Sequence, residues 1–470
     1  MMPSPARTFP SHALHKTPWA LGLLASLLSQ ASLAQDAPGI VGRNEWLYYR
    51  YELTSGQDPA AINTSVDLIR RINREFQRNG VAVVVAMVPL KVRVHPENLP
   101  PSVKLTDSLQ GQYGRILKSL RDGGVLAADL NTAFINSPNR ESPMPLFFRQ
   151  DTHWSAPGAL LAAETLRDAI KADPTLNTAL DATPAAAYKL TWATQEPVKK
   201  GDLVAQLPKN APSFQGEPVK YFEVDKLPGA DSAGLTGASS VGITLLGSSY
   251  THEWTKFPGA VSYALQRDIL SISVDASQGQ WVGLHSYLRD DAFQSNKPKL
   301  LIWEMPERDM AAPPQYKWRD ARYSMDNTEW LLQASAMVQQ QCAATPVKVK
   351  LEKTGLGAAQ AADNTLAVKS TSGTDFVELS FDRPLERNQY VAARLMSSGT
   401  KLITLEAASP GTPSRKLAVQ VAGDDAEHNL RTALLPKAKG FTSLRLYPGQ
   451  TSGFSLKDVQ VCAQPDDLLK

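Results

Sequence analysis

The sequence predicts a parallel α/β domain followed by a smaller all-β domain. Up to about residue 340, segments with helically spaced apolar residues alternate with short continuous apolar runs, as in a doubly wound sheet. From about Cys342 the pattern changes to strict alternation of apolar and polar residues, with Gly, Ser and Asn between the runs. That second pattern is typical of an antiparallel sandwich. The 470 residues suffice for two or three domains, and no internal repeat is evident.

Residues 1–34 are predicted to be a secretory signal peptide. Arg7 and Lys16 precede the apolar run PWALGLLASLLSQASLA, and no acidic residue occurs before Asp36. Small residues at Ser32 and Ala34 favour cleavage after Ala34. An uncleaved membrane anchor is the alternative, although the apolar run is short for one. We therefore expect the mature chain to be exported.

The first domain is predicted to span residues 35–340. Residues 59–80 carry apolar side chains at helical spacing and end at Gly80, where a helix C-cap would lie. The β-branched run at 81–89 ends at Pro89 and has the composition of a strand buried on both faces. The same alternation predicts further helices at 107–124 and 156–172, and further strands at 125–131, 241–250 and 297–308. Residues 184–240 are rich in Pro, Ala and Gly, which predicts a long insertion or lid.

The second domain, residues 341–470, is predicted to be the all-β sandwich. The runs VKVKLEK, FVELSFD and LITLEAA each alternate with period two. The two cysteines of the chain, Cys342 and Cys462, bracket this domain, and in an exported protein one such pair predicts a disulfide. Two buried free thiols are the alternative.

The stretch FFRQDTHWSAPGA, residues 147–159, contains the first candidate catalytic pair. Asp151 lies two residues before His153, so its carboxylate can orient the imidazole and stabilise the imidazolium as it forms. The alternative is that His153 caps a helix beginning near Ser155, with Asp151 as an ordinary loop residue. A metal site would need more neighbouring ligands than this stretch offers, so no metal is expected.

A candidate nucleophile follows the predicted strand at 241–250, in LLGSSYTHEW. Ser248 and Ser249 follow Gly247 at a tight turn, where a base can activate an exposed hydroxyl. A plain Gly-Ser turn is the alternative. His252 is a rival base, whereas the more distant His95 and His285 are predicted to be structural.

An oxyanion needs fixed donors where negative charge develops. The backbone N–H groups of Ser249 and Gly279 are candidates, and Gln278 or Gln280 is a possible assistant.

The charge balance argues against a nucleic-acid partner. The formal net charge is +3, and removal of Arg7 and Lys16 with the signal peptide leaves it about +1. A local basic groove for an anionic polymer stays compatible with that balance.

Together these motifs resemble one known family. EWLYYRYEL, DTHWSAPGA, LLGSSY and KPKLLIWEMPERDM occur in this order, before a β-domain bracketed by two cysteines. This arrangement resembles the AlgX/AlgJ family of alginate O-acetyltransferases, over essentially the whole mature chain. The resemblance implies an SGNH-hydrolase-like catalytic domain, a C-terminal domain like a carbohydrate-binding module, and a triad of Asp151, His153 and Ser249. It implies two-step acetyl transfer through an acetyl-serine, with Ser249 rather than Ser248 as the nucleophile.

The resemblance also implies partners and a compartment. The acceptor would be an anionic polysaccharide, alginate above all, in the periplasm beside other polysaccharide-export proteins. The acetyl donor would come from a membrane partner that exports acetyl groups, and no cofactor is expected. The alternatives are a carbohydrate esterase or deacetylase on the same triad, or a non-catalytic polysaccharide-binding scaffold.

The chain departs from the AlgX pattern in its second domain. The last tryptophan of the chain is Trp330, so the sandwich has no indole for sugar stacking. The first domain departs as well, because Glu307-Arg308 follow the predicted strand that contains Trp303 and Glu304, as in AlgJ-like chains. Aromatic substitutes would come from Tyr390, Phe441 and Tyr447. The basic residues expected to meet an anionic polymer are Lys401, Arg415, Lys416 and Arg308.

Overall fold

The structure is a computed structural model that describes most of the chain after residue 36. The described residues are 37–56, 58–228, 241–274, 279–314, 325–352, 359–362, 365–368, 372–399, 402–409, 412–433 and 440–470. The predicted signal peptide, Gln278 and Lys401 lie outside these residues. Within the described ranges, no helix combines the length and apolar character needed to cross a membrane.

In the described residues, all helices lie before Gln339. They are α1 (Arg50–Thr54), α2 (Pro59–Arg78), α3 (Lys91–Val94), α4 (Asp107–Asp122), α5 (Leu130–Ile135), α6 (Ala156–Ala172), α7 (Pro174–Asp181), α8 (Phe257–Leu265), α9 (Gly279–Arg289), α10 (Asp291–Gln294) and α11 (Asn327–Val338). Short 3-10 helices cover Pro96–Asn98, Asp202–Gln206, Ser249–Thr251, Glu253–Thr255 and Glu307–Ala311.

Strands of the same region form a parallel sheet and several small antiparallel pairs. They are β1 (Gly39–Val41), β2 (Leu47–Tyr49), β3 (Ala82–Val88), β4 (Leu126–Ala127), β5 (Tyr188–Trp192), β6 (Val198–Lys199), β7 (Glu217–Pro218), β8 (Phe222–Lys226), β9 (Ile243–Gly247), β10 (Leu270–Ser273) and β11 (Leu300–Pro306).

A five-stranded parallel sheet in the order β10-β9-β11-β3-β4 forms the centre of this region. Alternate residues of β3 enter two different cores, with Val83 and Val85 on one face and Val84 and Ala86 on the other. Helices α2, α4, α9 and α11 pack on the first face, and α6, α7 and α8 on the second. The predicted doubly wound α/β sheet is therefore confirmed.

Local sequence signals explain where the main helices begin. Asp58 accepts a hydrogen bond from the Ala61 N–H at the start of α2, and Ser155 accepts one from Gly158 at the start of α6. The predicted strand at 125–131 is wrong beyond Ala127. Asp129 accepts the Thr132 N–H there and caps α5, so the chain turns helical at Leu130.

The predicted insertion contains two small antiparallel pairs, β5 with β8 and β6 with β7. Its residues 229–240 lie outside the described ranges. Gly201 passes so close to the loop at Gln150 that a Cβ atom there would lie 1.9 Å from the Gln150 carbonyl oxygen. The insertion is therefore packed directly against the loop that carries Asp151 and His153.

The C-terminal region is built from two antiparallel sheets. Its strands are β12 (Ala343–Ala344), β13 (Val349–Glu352), β14 (Ala359–Ala362), β15 (Thr365–Val368), β16 (Val377–Phe381), β17 (Gln389–Ser398), β18 (Leu402–Ser409), β19 (Thr412–Gln420), β20 (Asp424–Thr432), β21 (Ser443–Tyr447) and β22 (Phe454–Ala463). One sheet has the order β14-β15-β22-β17-β20 with β12 beside β22, and the other has the order β13-β16-β21-β18-β19. The predicted all-β sandwich is confirmed.

A disulfide joins the two ends of the sandwich, and its C-terminal tail contacts the α/β region. The predicted disulfide joins Cys342, next to β12, with Cys462 in β22, and the Cα atoms of the two cysteines are 5.2 Å apart. The C-terminal tail then returns to the α/β region. There Asp467 pairs with Arg78 of α2 at 2.6 Å, and the Gln464 amide donates to the Leu332 carbonyl of α11 at 3.0 Å.

Candidate active site

The loop that carries Asp151 and His153 is held in a narrow hairpin. Phe147 and Trp154 form an antiparallel bridge, and the Phe148 N–H donates to the His153 carbonyl at 3.1 Å. Ser155 then begins α6, so the helix cap is a serine and not His153. Ser249 comes from elsewhere, as the first residue of the 3-10 helix that follows the buried strand β9.

The three side chains form a continuous hydrogen-bonded row. His153 Nδ1 lies 2.6 Å from Asp151 Oδ1, and His153 Nε2 lies 2.7 Å from Ser249 Oγ. The ionised carboxylate can only accept, so Nδ1 carries the proton and Nε2 is left to accept from the serine hydroxyl. The structure therefore brings together the acid, base and hydroxyl predicted from the sequence.

The second oxygen of Asp151 has partners of its own, both from the insertion. Lys199 Nζ lies 2.6 Å from Asp151 Oδ2, and the Asp202 N–H donates to the same oxygen at 3.1 Å. Burial alone would raise the pKa of Asp151. The hydrogen bonds and positive charges of His153 and Lys199 outweigh burial and hold that pKa well below its usual range. Asp151 is therefore a carboxylate throughout the working pH range.

Asp202 completes this cluster beside His153. Its carboxylate accepts the Thr152 N–H at 2.8 Å and the Thr152 hydroxyl at 2.6 Å. Ligand atoms of Asp151, His153 and Asp202 all lie within 4.8 Å of one another, which is close enough to be shared by a metal ion. Lys199 already supplies a positive charge to Asp151, and His153 Nδ1 faces the Asp151 carboxylate. These contacts favour a hydrogen-bonded network over a cation site.

A buried lysine supports the same loop from the protein interior. Lys91 Nζ donates to the carbonyl oxygens of Leu47, Arg149 and Asp151 at 2.6, 2.9 and 2.9 Å. Burial lowers the pKa of Lys91 to about 8, although nearby carboxylates, led by Glu217, oppose that shift. An ammonium with three carbonyl acceptors fixes the backbone at Asp151 without competing for its side chain.

The serine turn rests on a buried glutamate. Glu304, in the middle of β11, accepts the Ser248 N–H at 2.6 Å and lies 2.9 Å from the Ser248 hydroxyl. Gly247 leaves room for this contact, because a Cβ atom there would lie 2.4 Å from Glu304 Oε2. Burial raises the pKa of Glu304 to about 8, despite the opposing hydrogen bonds from Ser248. Ser248 is thus engaged with the protein interior, and Ser249 faces His153.

Tyr250 and Arg308 connect the serine turn to the Asp151–His153 loop. The Tyr250 hydroxyl donates to the Thr152 carbonyl at 2.6 Å and accepts from Arg308 at 3.1 Å. Arg308 is only 12% exposed and lies near the buried carboxylate of Glu52 and the partly buried carboxylate of Asp309. Its burial favours a structural role over the predicted polymer contact.

An exposed indole lies beside the hydrogen-bonded row. The Trp254 ring centroid is 4.9 Å from that of His153, edge to face, and Lys199 Nζ lies 4.4 Å from the centre of the Trp254 ring. Trp254 remains 39% exposed. Single exposed aromatic side chains are common on protein surfaces, and Trp254 is distinguished by its contact with the His153 ring.

The remaining predicted residues lie in several different settings. Gly279 begins α9 with a φ of +76°, a conformation that favours glycine, and Lys416 on β19 is 62% exposed. Arg415 lies on the same strand. The aromatic substitutes Tyr390 and Phe441 are buried in the sandwich core.

The rival histidines differ from His153 in their surroundings. His95 packs against the Trp46 ring at 4.4 Å, and His285 lies within α9. Burial lowers the pKa of both His95 and His285, as expected for structural histidines. His252 comes directly after the 3-10 helix Ser249–Thr251 and caps its C-terminal end.

Sequence reasoning missed Lys199, Asp202, Lys91 and Trp254, and it used Glu304 only as a marker of resemblance. For Glu304 a signal was present, because a carboxyl group inside the apolar strand LLIWEMP must be buried and therefore needs hydrogen-bond partners. Trp254 is the last residue of LLGSSYTHEW, but the sequence alone gave no reason to assign it a role. Lys199 and Asp202 carried no comparable signal, since they lie 48 and 51 residues from Asp151 in a weakly periodic segment.

The fold and the site together define an SGNH hydrolase-like α/β protein, with a serine at the carboxyl end of a parallel strand facing an Asp-x-His loop. The family model described as "SGNH hydrolase-like domain, acetyltransferase AlgX" matches residues 40–307. Because this match covers more than half of the chain, the protein belongs to the AlgX/AlgJ family, as the sequence motifs predicted.

Individual relatives agree with this assignment. The chain is 30% identical over 294 residues to the probable alginate O-acetylase AlgJ of Pseudomonas syringae pv. tomato, covering 59% of this chain and 71% of the relative. The structure of Pseudomonas aeruginosa AlgX matches with a TM-score of 0.65 at 19% identity, over 93% of this chain and 97% of that one. The O-acetyltransferase domain of Pseudomonas putida AlgJ matches with a TM-score of 0.52 at 24% identity, over 63% and 99%. The AlgX structure thus shares the fold over nearly the whole chain.

Proposed function

We propose that this protein is a periplasmic O-acetyltransferase that moves acetyl groups onto hydroxyls of an exported polysaccharide, with alginate as the acceptor. The single observation that carries the proposal is the row Asp151–His153–Ser249, with contacts of 2.6 and 2.7 Å. Membership of the AlgX/AlgJ family supports the reaction class. Relatives named for alginate support the acceptor. The Cys342–Cys462 disulfide supports an oxidising compartment.

The first half-reaction forms an acetyl-serine. His153 Nε2 takes the Ser249 hydroxyl proton as Oγ attacks the carbonyl carbon of the acetyl donor, and Asp151 stabilises the imidazolium that results. The tetrahedral intermediate collapses with return of the proton to the leaving group. Asp151 can fill this role because Lys199 and His153 keep it ionised.

The developing oxyanion needs backbone donors close to Ser249. Ser249 is the first residue of its 3-10 helix, so its N–H has no acceptor within that helix. Gly279 is likewise the first residue of α9, which packs against β9. Both N–H groups are proposed as oxyanion donors.

The second half-reaction transfers the acetyl group. A sugar hydroxyl loses its proton to His153 Nε2 and attacks the acetyl carbonyl carbon. The bond from that carbon to Ser249 Oγ then breaks, and Oγ recovers the proton. If water attacks instead, the same site is an esterase, so the acceptor decides between the two activities.

The sandwich is proposed to be a carbohydrate-binding-like domain of residues 341–470 that meets the polymer through basic side chains. Among the predicted basic residues, Lys416 has an exposed side chain and lies 5.6 Å from the Tyr447 ring. A membrane partner that exports acetyl groups is proposed as the source of donor, and the other partners are periplasmic export proteins.

The proposal is tested by mass spectrometry of mannuronate oligomers incubated with the mature protein and an activated acetyl ester. Oligomers should gain whole acetyl units with the wild type. Ser249→Ala should lower the transfer rate roughly 10⁴-fold or more, as removal of a triad nucleophile does. Ser248→Ala is the matched control and should retain the Ser249–His153 contact. Ester consumption without acetylated sugar would favour the esterase, and a fully active Ser249→Ala would refute the assigned nucleophile.

A further inference from the structure

Trp254 occupies a position that the proposed chemistry does not yet use. It lies five residues after Ser249, and its indole contacts the His153 ring edge to face at a centroid distance of 4.9 Å. With 39% of its surface exposed, it offers an apolar face next to the base that must take the acceptor's proton. Covering such a face with a ligand removes apolar surface from water.

The indole is held in place relative to the reacting atoms. Lys199 Nζ lies 4.4 Å from the ring centroid and donates to Asp151 Oδ2 at 2.6 Å, so one cation fastens both the ring and the acid. The next residue, Thr255, donates from its hydroxyl toward the carbonyl oxygens of Tyr250 and His252, at 2.8 and 2.7 Å. Such a pre-arranged surface loses little conformational entropy when a ligand covers it.

We propose that Trp254 is the acceptor platform of the enzyme. Its indole stacks against the pyranose ring of the sugar whose hydroxyl attacks the acetyl-serine. The proposal rests on the proposed acetyltransferase function and adds where its acceptor binds. Because Lys199 is already paired with Asp151, the attraction comes from the apolar face of the sugar more than from its charge.

The platform affects one half-reaction more than the other. A small acetyl ester needs no sugar-sized surface to acylate Ser249, and water needs none to deacylate it. An acceptor sugar, by contrast, must be held with one hydroxyl beside His153 Nε2. Trp254 should therefore govern how the acetyl-enzyme partitions between sugar and water.

The test measures that partition directly. Mature protein is supplied with p-nitrophenyl acetate and increasing mannuronate oligomer. Total turnover is read as p-nitrophenol, and transfer is read as acetylated oligomer by mass spectrometry. The ratio of transfer to hydrolysis is taken per turnover, so it does not depend on how much of a variant has folded. Trp254→Ala should lower this ratio about tenfold at low acceptor, the effect of losing one buried aromatic contact, and should raise the acceptor KM.

Two further variants sharpen the result. Trp254→Phe keeps an aromatic face and should retain most of the ratio. Trp192→Ala removes another exposed tryptophan, 36% exposed, which packs against Phe222 and Lys220 in the insertion, and should change the ratio less than about twofold.

If Trp254→Ala left the ratio of transfer to hydrolysis unchanged while the wild type transferred acetyl groups, the role of Trp254 as acceptor platform would be overturned. The proposed acetyltransferase function would not be affected. An equal fall in Trp192→Ala would also overturn the role of Trp254, because the loss would not be specific to the ring beside His153. Ester turnover by the wild type without any acetylated oligomer would overturn the transferase and the platform together, and it would be visible before any variant is compared.

Discussion

Replacing Glu304 by glutamine should change how the stability of this protein depends on pH. Glu304 is fully buried under the serine turn and accepts from the Ser248 N–H at 2.6 Å. Burial, the largest cause, raises its pKa from 4.5 to about 8. The folded protein therefore retains a proton here that the unfolded chain releases. The stability linked to this proton is fully present below pH 4.5 and is lost as pH rises toward about 8.

The size of the effect follows from the pKa difference. Each pH unit in this window lowers the free energy of unfolding by at most about 1.4 kcal/mol, so the whole window is worth about 5 kcal/mol as an upper limit. Glutamine has a similar shape, can accept the Ser248 N–H through its amide oxygen, and does not titrate. Glu304→Gln should therefore gain stability relative to the wild type by several kcal/mol between pH 5 and pH 8.

The assay is urea unfolding of the mature wild type and the variant at pH 5, 6.5 and 8. Glu97→Gln is the matched control. Burial alone would raise the pKa of Glu97, but His95 and Arg140 hold it at about 2, so it stays ionised across this window. That variant should lose about 1 kcal/mol, discounted because its side chain is 40% exposed, and by the same amount at pH 6.5 and at pH 8, where the lowered pKa of His95 keeps that imidazole neutral. A Glu304→Gln difference that is constant from pH 5 to pH 8 would refute the buried-proton argument.

Two further changes test the contacts around the site and the sandwich. Lys199→Met removes the hydrogen bond and the positive charge that lie 2.6 Å from Asp151 Oδ2, so the acid is held less firmly beside His153. The rate of ester hydrolysis should fall about tenfold, and Lys199→Arg should restore most of it. An unchanged rate in Lys199→Met would show that this lysine does not support the acid. Replacing both Cys342 and Cys462 by serine removes a crosslink between residues with a sequence separation of 120. The free energy of unfolding should fall by about 4 kcal/mol or less. The fall is measured as a lower urea midpoint in non-reducing buffer. Equal midpoints for the wild type and the double variant would contradict a stabilising crosslink.

The parts of the fold and site that sequence predicts best depend on local patterns. The β-branched composition of residues 81–89 predicts a buried parallel strand, and the structure has β3 at Ala82–Val88. Asp151 and His153 are two positions apart, so their contact needs only one loop. Ser249 is signalled by the glycine that ends its strand.

The parts that sequence could not predict depend on distant contacts. Lys199 reaches Asp151 only because the insertion folds back against Gln150 at Gly201, and no periodic pattern encodes that return. The strand expected at 125–131 stops at Ala127 because one side chain, Asp129, favours a helix start over continued extension. Both cases reflect tertiary or capping contacts that override local composition.

The sandwich is joined to the rest of the molecule at both of its ends. Its first strand follows α11, and its tail returns to the same region, where Asp467 meets Arg78 and Gln464 meets Leu332. A body held by one connection can pivot, whereas one held by two must break a contact to do so. We therefore expect the span between the sandwich and Ser249 to be constant, so that a long chain bound by the sandwich would meet the nucleophile at a set number of sugar units from its point of attachment.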